Sequence, residues 1–188
     1  MMRPVLFLTG PHASGKTELA RHLLDSHGYS YVDLGPSIRA AHKTQRPEMD
    51  FKDWLTQGEK EFGPNFTNRV VADAALRSLE SSPGEKPFIV IGSRSYPGLR
   101  YLVNALDAEN KRIMYIEADA AAMYERYKMR ESNPDLIAEE FQAILIKDRL
   151  MGLEGIRDHA AWAVNNSGSL ESFHSSATEL IYHWLNKQ

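Results

Sequence analysis

Eight residues near the start of the chain, Gly10-Pro11-His12-Ala13-Ser14-Gly15-Lys16-Thr17, constrain the fold more than any other stretch. They follow an apolar run, Val5-Leu6-Phe7-Leu8, and lead into a segment of helical character, Glu18 to Leu24. The order is strand, glycine loop, helix, with the spacing G-x-x-x-x-G-K-[ST] of a phosphate-binding loop. Gly10 and Gly15 let the backbone curl, so that the N–H groups of His12, Ala13 and Ser14 and those that follow face one anion. The helix start adds unpaired amides and a dipole that favours negative charge. Lys16 has the reach for the β- and γ-phosphates, and the Thr17 hydroxyl is the candidate ligand for Mg²⁺. The side chain of His12 reads as a variable loop position. The stretch predicts binding of a nucleoside triphosphate, with ATP and Mg²⁺ as cofactors.

Composition narrows the class. A chain of 188 residues predicts one domain with a sizeable core, and 43% hydrophobic with 25% charged residues fits a soluble globular protein. No apolar run approaches the ~18 residues of a membrane span, so no membrane partner is expected. Met1-Met2-Arg3-Pro4 enters the first strand with no room for a signal peptide, and a cytoplasmic location is expected. The absence of cysteine excludes disulfides, thiolate catalysis and a cysteine zinc site. A net charge of −3 gives no global basic signature for nucleic acid, while a local basic groove stays open. Seven histidines lie scattered without metal-ligand spacing, and the oligomeric state is left undefined.

Strand-like runs at 4–9, 30–33, 87–91, 112–116 and 161–165 alternate with helical ones, which predicts an α/β fold with a mainly parallel sheet. Ligands bind such sheets beyond the carboxyl ends of the strands. Asp33 closes the second strand beside the loop, where a carboxylate can orient or deprotonate an attacking hydroxyl; it can equally begin a turn. Arg39, one turn into the next segment, is a candidate clamp for an acceptor phosphate. Asp50 is a candidate N-cap for Phe51 to Phe62, and Gly63-Pro64 ends that helix and starts another. The helices over about 35–82 are expected to form an acceptor-binding insertion, with Trp54, Phe62 and Phe66 in its core or lining a base pocket. Gly92-Ser93-Arg94 follows the third strand, and Arg94 is a second phosphate-clamp candidate. Ile91 stands where many phosphate-loop enzymes place an acid that helps hold the Mg²⁺ waters. Asp119 is expected to cap a helix carrying Arg126 and Arg130 on one face, and Asn133-Pro134 to start its partner. The resulting hairpin, about 126–150, can act as a lid with both arginines serving phosphoryl charge, or those arginines can pair with Glu125 and Glu131 at the surface. Asn166 and Gly168, after the last strand, are candidates for the adenine edge.

Together these residues resemble the nucleotide-kinase branch of P-loop phosphotransferases, which includes adenylate kinase, dephospho-CoA kinase and a related group of small archaeal and bacterial kinases. Tyr31 to Arg39 looks like the second-strand segment of the first two. The resemblance places Asp33 where dephospho-CoA kinases carry a catalytic aspartate, and Arg39 at an acceptor-phosphate arginine. Gly92-Ser93-Arg94 is similar to the acceptor-gripping segment of adenylate kinases. Glu61-Phe62-Gly63-Pro64 and Asn165 to Glu171 look most like the small archaeal and bacterial group. Pro36 and Ile91 depart from the adenylate kinase pattern. The resemblance implies a five-stranded parallel sheet in the order 2-3-1-4-5 with helices on both faces. It also implies transfer of the γ-phosphoryl group to a phosphate-bearing, nucleotide-like acceptor. Phage-type kinases acting on a hydroxymethylated base in DNA share the architecture and give the alternative acceptor. A regulatory NTPase without an acceptor is the reading from a different class.

Overall fold

The computed structural model describes residues 3–82, 84–106, 110–133 and 135–186. Five strands form one parallel sheet: β1 (Val5–Thr9), β2 (Ser30–Asp33), β3 (Phe88–Ile91), β4 (Lys111–Glu117) and β5 (Trp162–Asn165), in the order β2-β3-β1-β4-β5. The expected topology is therefore present. Its physical basis is the alternation of buried side chains across strands whose two faces are both covered. Val5, Phe7, Phe88 and Val90 pack on one face against α4 (Phe66–Glu80), α5 (Tyr96–Ala105) and α8 (Leu153–Asp158). Leu6, Leu8, Ile89, Ile91, Met114 and Ile116 pack on the other, against α1 (Lys16–His27) and α9 (Leu170–Leu185).

Between β2 and β3 the chain inserts α2 (Leu34–Gln45), α3 (Phe51–Phe62) and α4. Asp50 caps α3 as expected, its carboxylate accepting from the Lys52 N–H at 2.8 Å. The helix after Gly63-Pro64 starts two residues later than expected. Gly63 takes φ +88° and its carbonyl accepts from the Phe66 N–H, so Pro64 and Asn65 are spent on the turn. Trp54, Phe66 and Val70 form a small core within this insertion, whereas Phe62 is 59% exposed.

The hairpin after β4 consists of α6 (Ala120–Arg130) and α7 (Ala138–Leu150). Asp119 occupies the N-cap position of α6 but makes no side-chain cap bond; its N–H instead donates to Ser167 Oγ, tying the helix start to the loop after β5. The second helix starts at Ala138, not at Asn133-Pro134, and Pro134 lies outside the described residues. Leu136 is buried and its carbonyl accepts from the Tyr124 hydroxyl, which holds the chain extended until Glu140 accepts from the Ile137 N–H. The hairpin core of Met123, Leu136, Phe141 and Leu145 packs against Ala13, so the hairpin rests on the glycine loop itself. No helix among the described residues is long and apolar enough to cross a membrane.

Candidate active site

Parallel pairing brings the carboxyl ends of all five strands to one edge, and the order places β1 between the two halves of the sheet. The loop after β1 therefore sits at the point where the topology switches direction, where such sheets bind ligands. Gly10, Ala13 and Gly15 take φ of +139°, +58° and +109°, the left-handed turns that curl a chain around an anion. At Gly10 a Cβ would lie 2.3 Å from the Ile116 carbonyl oxygen, and at Gly15 2.2 Å from Asn166 Nδ2, so no other residue fits without displacement. Helix α1 begins at Lys16 with no side-chain cap, leaving the amides of its first turn, Thr17 included, without intrahelical partners. Thr17 lies on that first turn, half-buried.

Lys16 Nζ donates to the Gly10 carbonyl at 2.9 Å, the Pro11 carbonyl at 2.6 Å and Ser14 Oγ at 3.3 Å. Burial, and then the like charges of Arg94 and Arg130, pull its pKa down to about 7, against the opposing pull of Asp148 and Asp33. Those four groups come from the end of β3, α6, α7 and the end of β2, so the strand ends gather one mixed-charge site around a single lysine.

The predicted residues take distinct places within it. Asp33 caps α2, its Oδ1 accepting from the Gly35 N–H at 3.0 Å. The turn role and a role toward a ligand are thus compatible, because one oxygen holds the helix and the other stays available. Gly92, at φ +104°, lets the end of β3 approach this carboxylate; a Cβ there would lie 3.2 Å from Asp33 Oδ1. The Arg39 guanidinium sits near Gly35, on the same side as Asp33. Arg126 Nη2 donates to the Asn166 carbonyl at 2.8 Å, docking α6 onto the loop after β5. Arg130 pairs with Glu131 at 2.8 Å and lies over the Tyr127 ring, half exposed at the rim. Asn166, 2% exposed, reaches under the glycine loop and donates from Nδ2 to the Ser14 carbonyl at 2.9 Å. Its side chain thus shapes the loop. Gly168 has no atom near the position of a Cβ, in open space beside it.

One site residue escaped the sequence reading. Asp148 on α7 is 1% exposed, and its Oδ2 accepts from both the His12 N–H at 2.9 Å and His12 Nδ1 at 2.8 Å. Its Oδ1 accepts from Arg94 Nη1 at 3.2 Å. Burial alone would raise this carboxyl, but the His12 hydrogen bonds, with the neighbouring charges, hold it below the usual range. The His12 side chain is accordingly part of a network and not a free loop position. The signal in the sequence was the stripe Phe141, Leu145, Asp148 at helical spacing, with a carboxylate where the apolar face continues.

Trp54, Phe62 and Phe66 do line a cavity, of about 130 Å³, together with Arg46, Met49 and Gly58. It lies at the far end of α2, where Gln45 is about 18 Å along the helix from Asp33 at 1.5 Å per residue. Among the described residues no cluster of three histidine or acidic side chains could hold a metal ion. Mg²⁺ ordinarily keeps most of its ligands as phosphate oxygens and water, and the Thr17 hydroxyl, on the first turn of α1, is the loop group that could join them.

No protein-family model matches the chain, and no curated protein matches it. Solved structures do. TT1252 from Thermus thermophilus is 17% identical, with 97% of this chain and 98% of that one covered and a TM-score of 0.70. Shikimate kinase from Acinetobacter baumannii, in complex with shikimate, is 17% identical over 96% and 94% of the two chains, with a TM-score of 0.61. Shikimate kinase from Bacteroides thetaiotaomicron is 15% identical over 95% and 98%, with a TM-score of 0.62. At these identities the likeness shows a shared fold, which covers nearly the whole of each chain.

Proposed function

We propose that the protein is an ATP- and Mg²⁺-dependent kinase that transfers the γ-phosphoryl group to a small, phosphate-bearing, nucleotide-like acceptor. The observation that carries this reading is the pair of strand-end groups beside the Lys16 loop: Arg94, whose Nη1 lies on His12 of that loop, and Asp33, at the end of the neighbouring strand β2. A carboxylate and an arginine closing the neighbouring strands β2 and β3 beside the loop supply a base and an anion clamp for a second ligand, which hydrolysis alone does not use. Lys16 and the loop amides other than that of His12, whose N–H is held by Asp148, hold the β- and γ-phosphates, and Thr17 meets the metal. Asp33 orients the acceptor hydroxyl and takes its proton, while Arg39 and Arg94 hold the acceptor phosphate. Arg126 and Arg130 keep the α6–α7 hairpin charged toward the transferring group. Phosphoryl transfer of this kind rests on positioning and charge stabilisation, which such residues supply. Structural likeness to a kinase in complex with shikimate supports a small-molecule acceptor over a polymer.

The test is ATP consumption with Mg²⁺ across nucleoside monophosphates, dephospho-CoA, nucleosides, shikimate, and plain and hydroxymethylated DNA. The expected result is stimulation at least about tenfold above basal hydrolysis by one small acceptor. Stimulation by hydroxymethylated DNA that collapses between low and moderate salt would replace that acceptor with the DNA base. Hydrolysis that no acceptor stimulates would overturn the kinase reading in favour of a regulatory NTPase.

A further inference from the structure

The buried carboxylate on α7 is not used by the chemistry above, although it touches two of the elements that perform it. Asp148 continues the inward stripe of Phe141 and Leu145, yet it meets the glycine loop and the end of β3 where those residues meet hydrocarbon. A charge at 1% exposure is costly unless every oxygen is bonded. Here the two oxygens divide the work. Oδ2 takes the His12 N–H and ring Nδ1, and Oδ1 takes Arg94 Nη1. Arg94 Nη1 also lies against the His12 ring, 2.9 Å from Nδ1 and in contact with Nε2, so one nitrogen of the guanidinium meets both the carboxylate and the imidazole. The His12 ring is braced on its other side by an edge contact with Tyr127, centroids 6.1 Å apart. Among the described hydrogen bonds of Arg94 only Nη1 takes part. The rest of the guanidinium fork, Nη2 and Nε, is left for a ligand.

We propose that Asp148 is a positioning residue of the transfer site, fixing Arg94 and the His12 edge of the phosphate loop so that the free side of the Arg94 fork is presented to the acceptor phosphate. The inference rests on the reading of Arg94 as an acceptor clamp. It assigns the acceptor-side affinity in part to α7, an element that touches neither substrate in that reading. The coupling has a clear geometry. An arginine on a flexible strand-end loop loses much side-chain freedom when it grips an anion, and a buried carboxylate that holds Nη1 beforehand removes that cost.

Asp148→Asn separates this role from a general structural one. The asparagine oxygen keeps both bonds from His12, which leaves its NH₂ group facing Arg94 Nη1, donor against donor. Arg94 is released while the loop stays held. The expected result is an acceptor KM raised at least about tenfold, with kcat and the KM for ATP within about threefold of wild type. A rise shared equally by the two KM values, or an acceptor KM within about twofold of wild type, would overturn the proposal. A second readout does not depend on turnover. In ¹⁵N-labelled protein the Arg94 Nη1–H signals are expected to be slowed and visible in wild type and lost in Asp148→Asn, with the His12 Nδ1–H signal retained in both. Arg94 signals unchanged in the variant would overturn the positioning role even with every acceptor inert. An inert acceptor panel with the Arg94 signals lost would instead fault the kinase reading and leave the positioning intact.

Discussion

Lys16 turns its ammonium onto two carbonyls and a hydroxyl of its own loop, and burial with two arginines near it brings its pKa down to about 7. A triphosphate would reverse that balance, because several negative oxygens replace neutral acceptors beside the same nitrogen. The sign follows from linkage: the bound form holds the proton more tightly than the free one, so binding takes up a proton at any pH between the two pKa values. At pH 8.5 the expected uptake is about one proton per ATP bound, and the affinity falls about tenfold per pH unit above 7. Calorimetry in buffers of different ionisation enthalpy measures the uptake directly. Lys16→Met should abolish it, and wild-type binding with no proton uptake would contradict this account of the loop. At this scale the glycine loop was legible because its chemistry is local: every residue of it lies within eight positions, and its turns demand particular types. Asp33 and Arg94 were legible for the same reason, as residues that end a strand. Asp148 was harder to find: its place on the apolar stripe of α7 is a local signal of burial, but its partner His12 lies 136 positions away, and the stripe does not say what the carboxylate meets. Asn166 was marked as a site residue, but only the fold reveals that its side chain supports the Ser14 carbonyl.

Among the elements, the insertion between β2 and β3 is the one whose packing carries the acceptor side in the proposed reading. Its α3–α4 contact depends on Gly58, where a Cβ would stand 2.2 Å from the Phe66 ring. Helix propensity alone makes Gly58→Ala stabilising by nearly 1 kcal/mol. Overpacking against a buried ring costs about 1–3 kcal/mol, and any shift of the Phe66 ring disturbs its contacts with Trp54 and Phe62. The clash wins. The variant is expected to lose about 1 kcal/mol, the middle of that cost less the propensity gain, and about 2–4 °C in Tm for a domain of this size. A rise in Tm on thermal unfolding would show that the helices do not pack this closely. Element type was readable from periodicity and caps, as at Asp50, but boundaries moved where tertiary contacts decide them. The start of α7 is the example: Asn133-Pro134 looks like a helix start, while burial of Leu136 and the Tyr124 hydrogen bond postpone it to Ala138. Likewise Asp119 gives up its cap bond at a position where Ser167 approaches from the neighbouring loop.

For the whole molecule, the sheet order emerges from the same few facts as the site. The central strands β1 and β3 are buried along their whole length with helices across each face, and in the parallel sheet built around them the loop after β1 lies at the switch point. The order β2-β3-β1-β4-β5 came from resemblance to known kinases and not from the strands alone, since five parallel strands admit several orders. The identity of the acceptor stayed illegible because it depends on how distant elements shape one pocket. The central proposal is that Lys16, with Asp33 and Arg94 beside its loop, moves a phosphoryl group between two ligands. The most direct measurement follows the γ-phosphoryl label of ATP into the acceptor that stimulates turnover, comparing wild type with Lys16→Ala. The account predicts label in the acceptor in step with ADP formation, and a loss of transfer of at least about 10²–10³-fold in the variant with its Tm preserved. Label released only as inorganic phosphate, or a Lys16→Ala protein that still transfers, would contradict it.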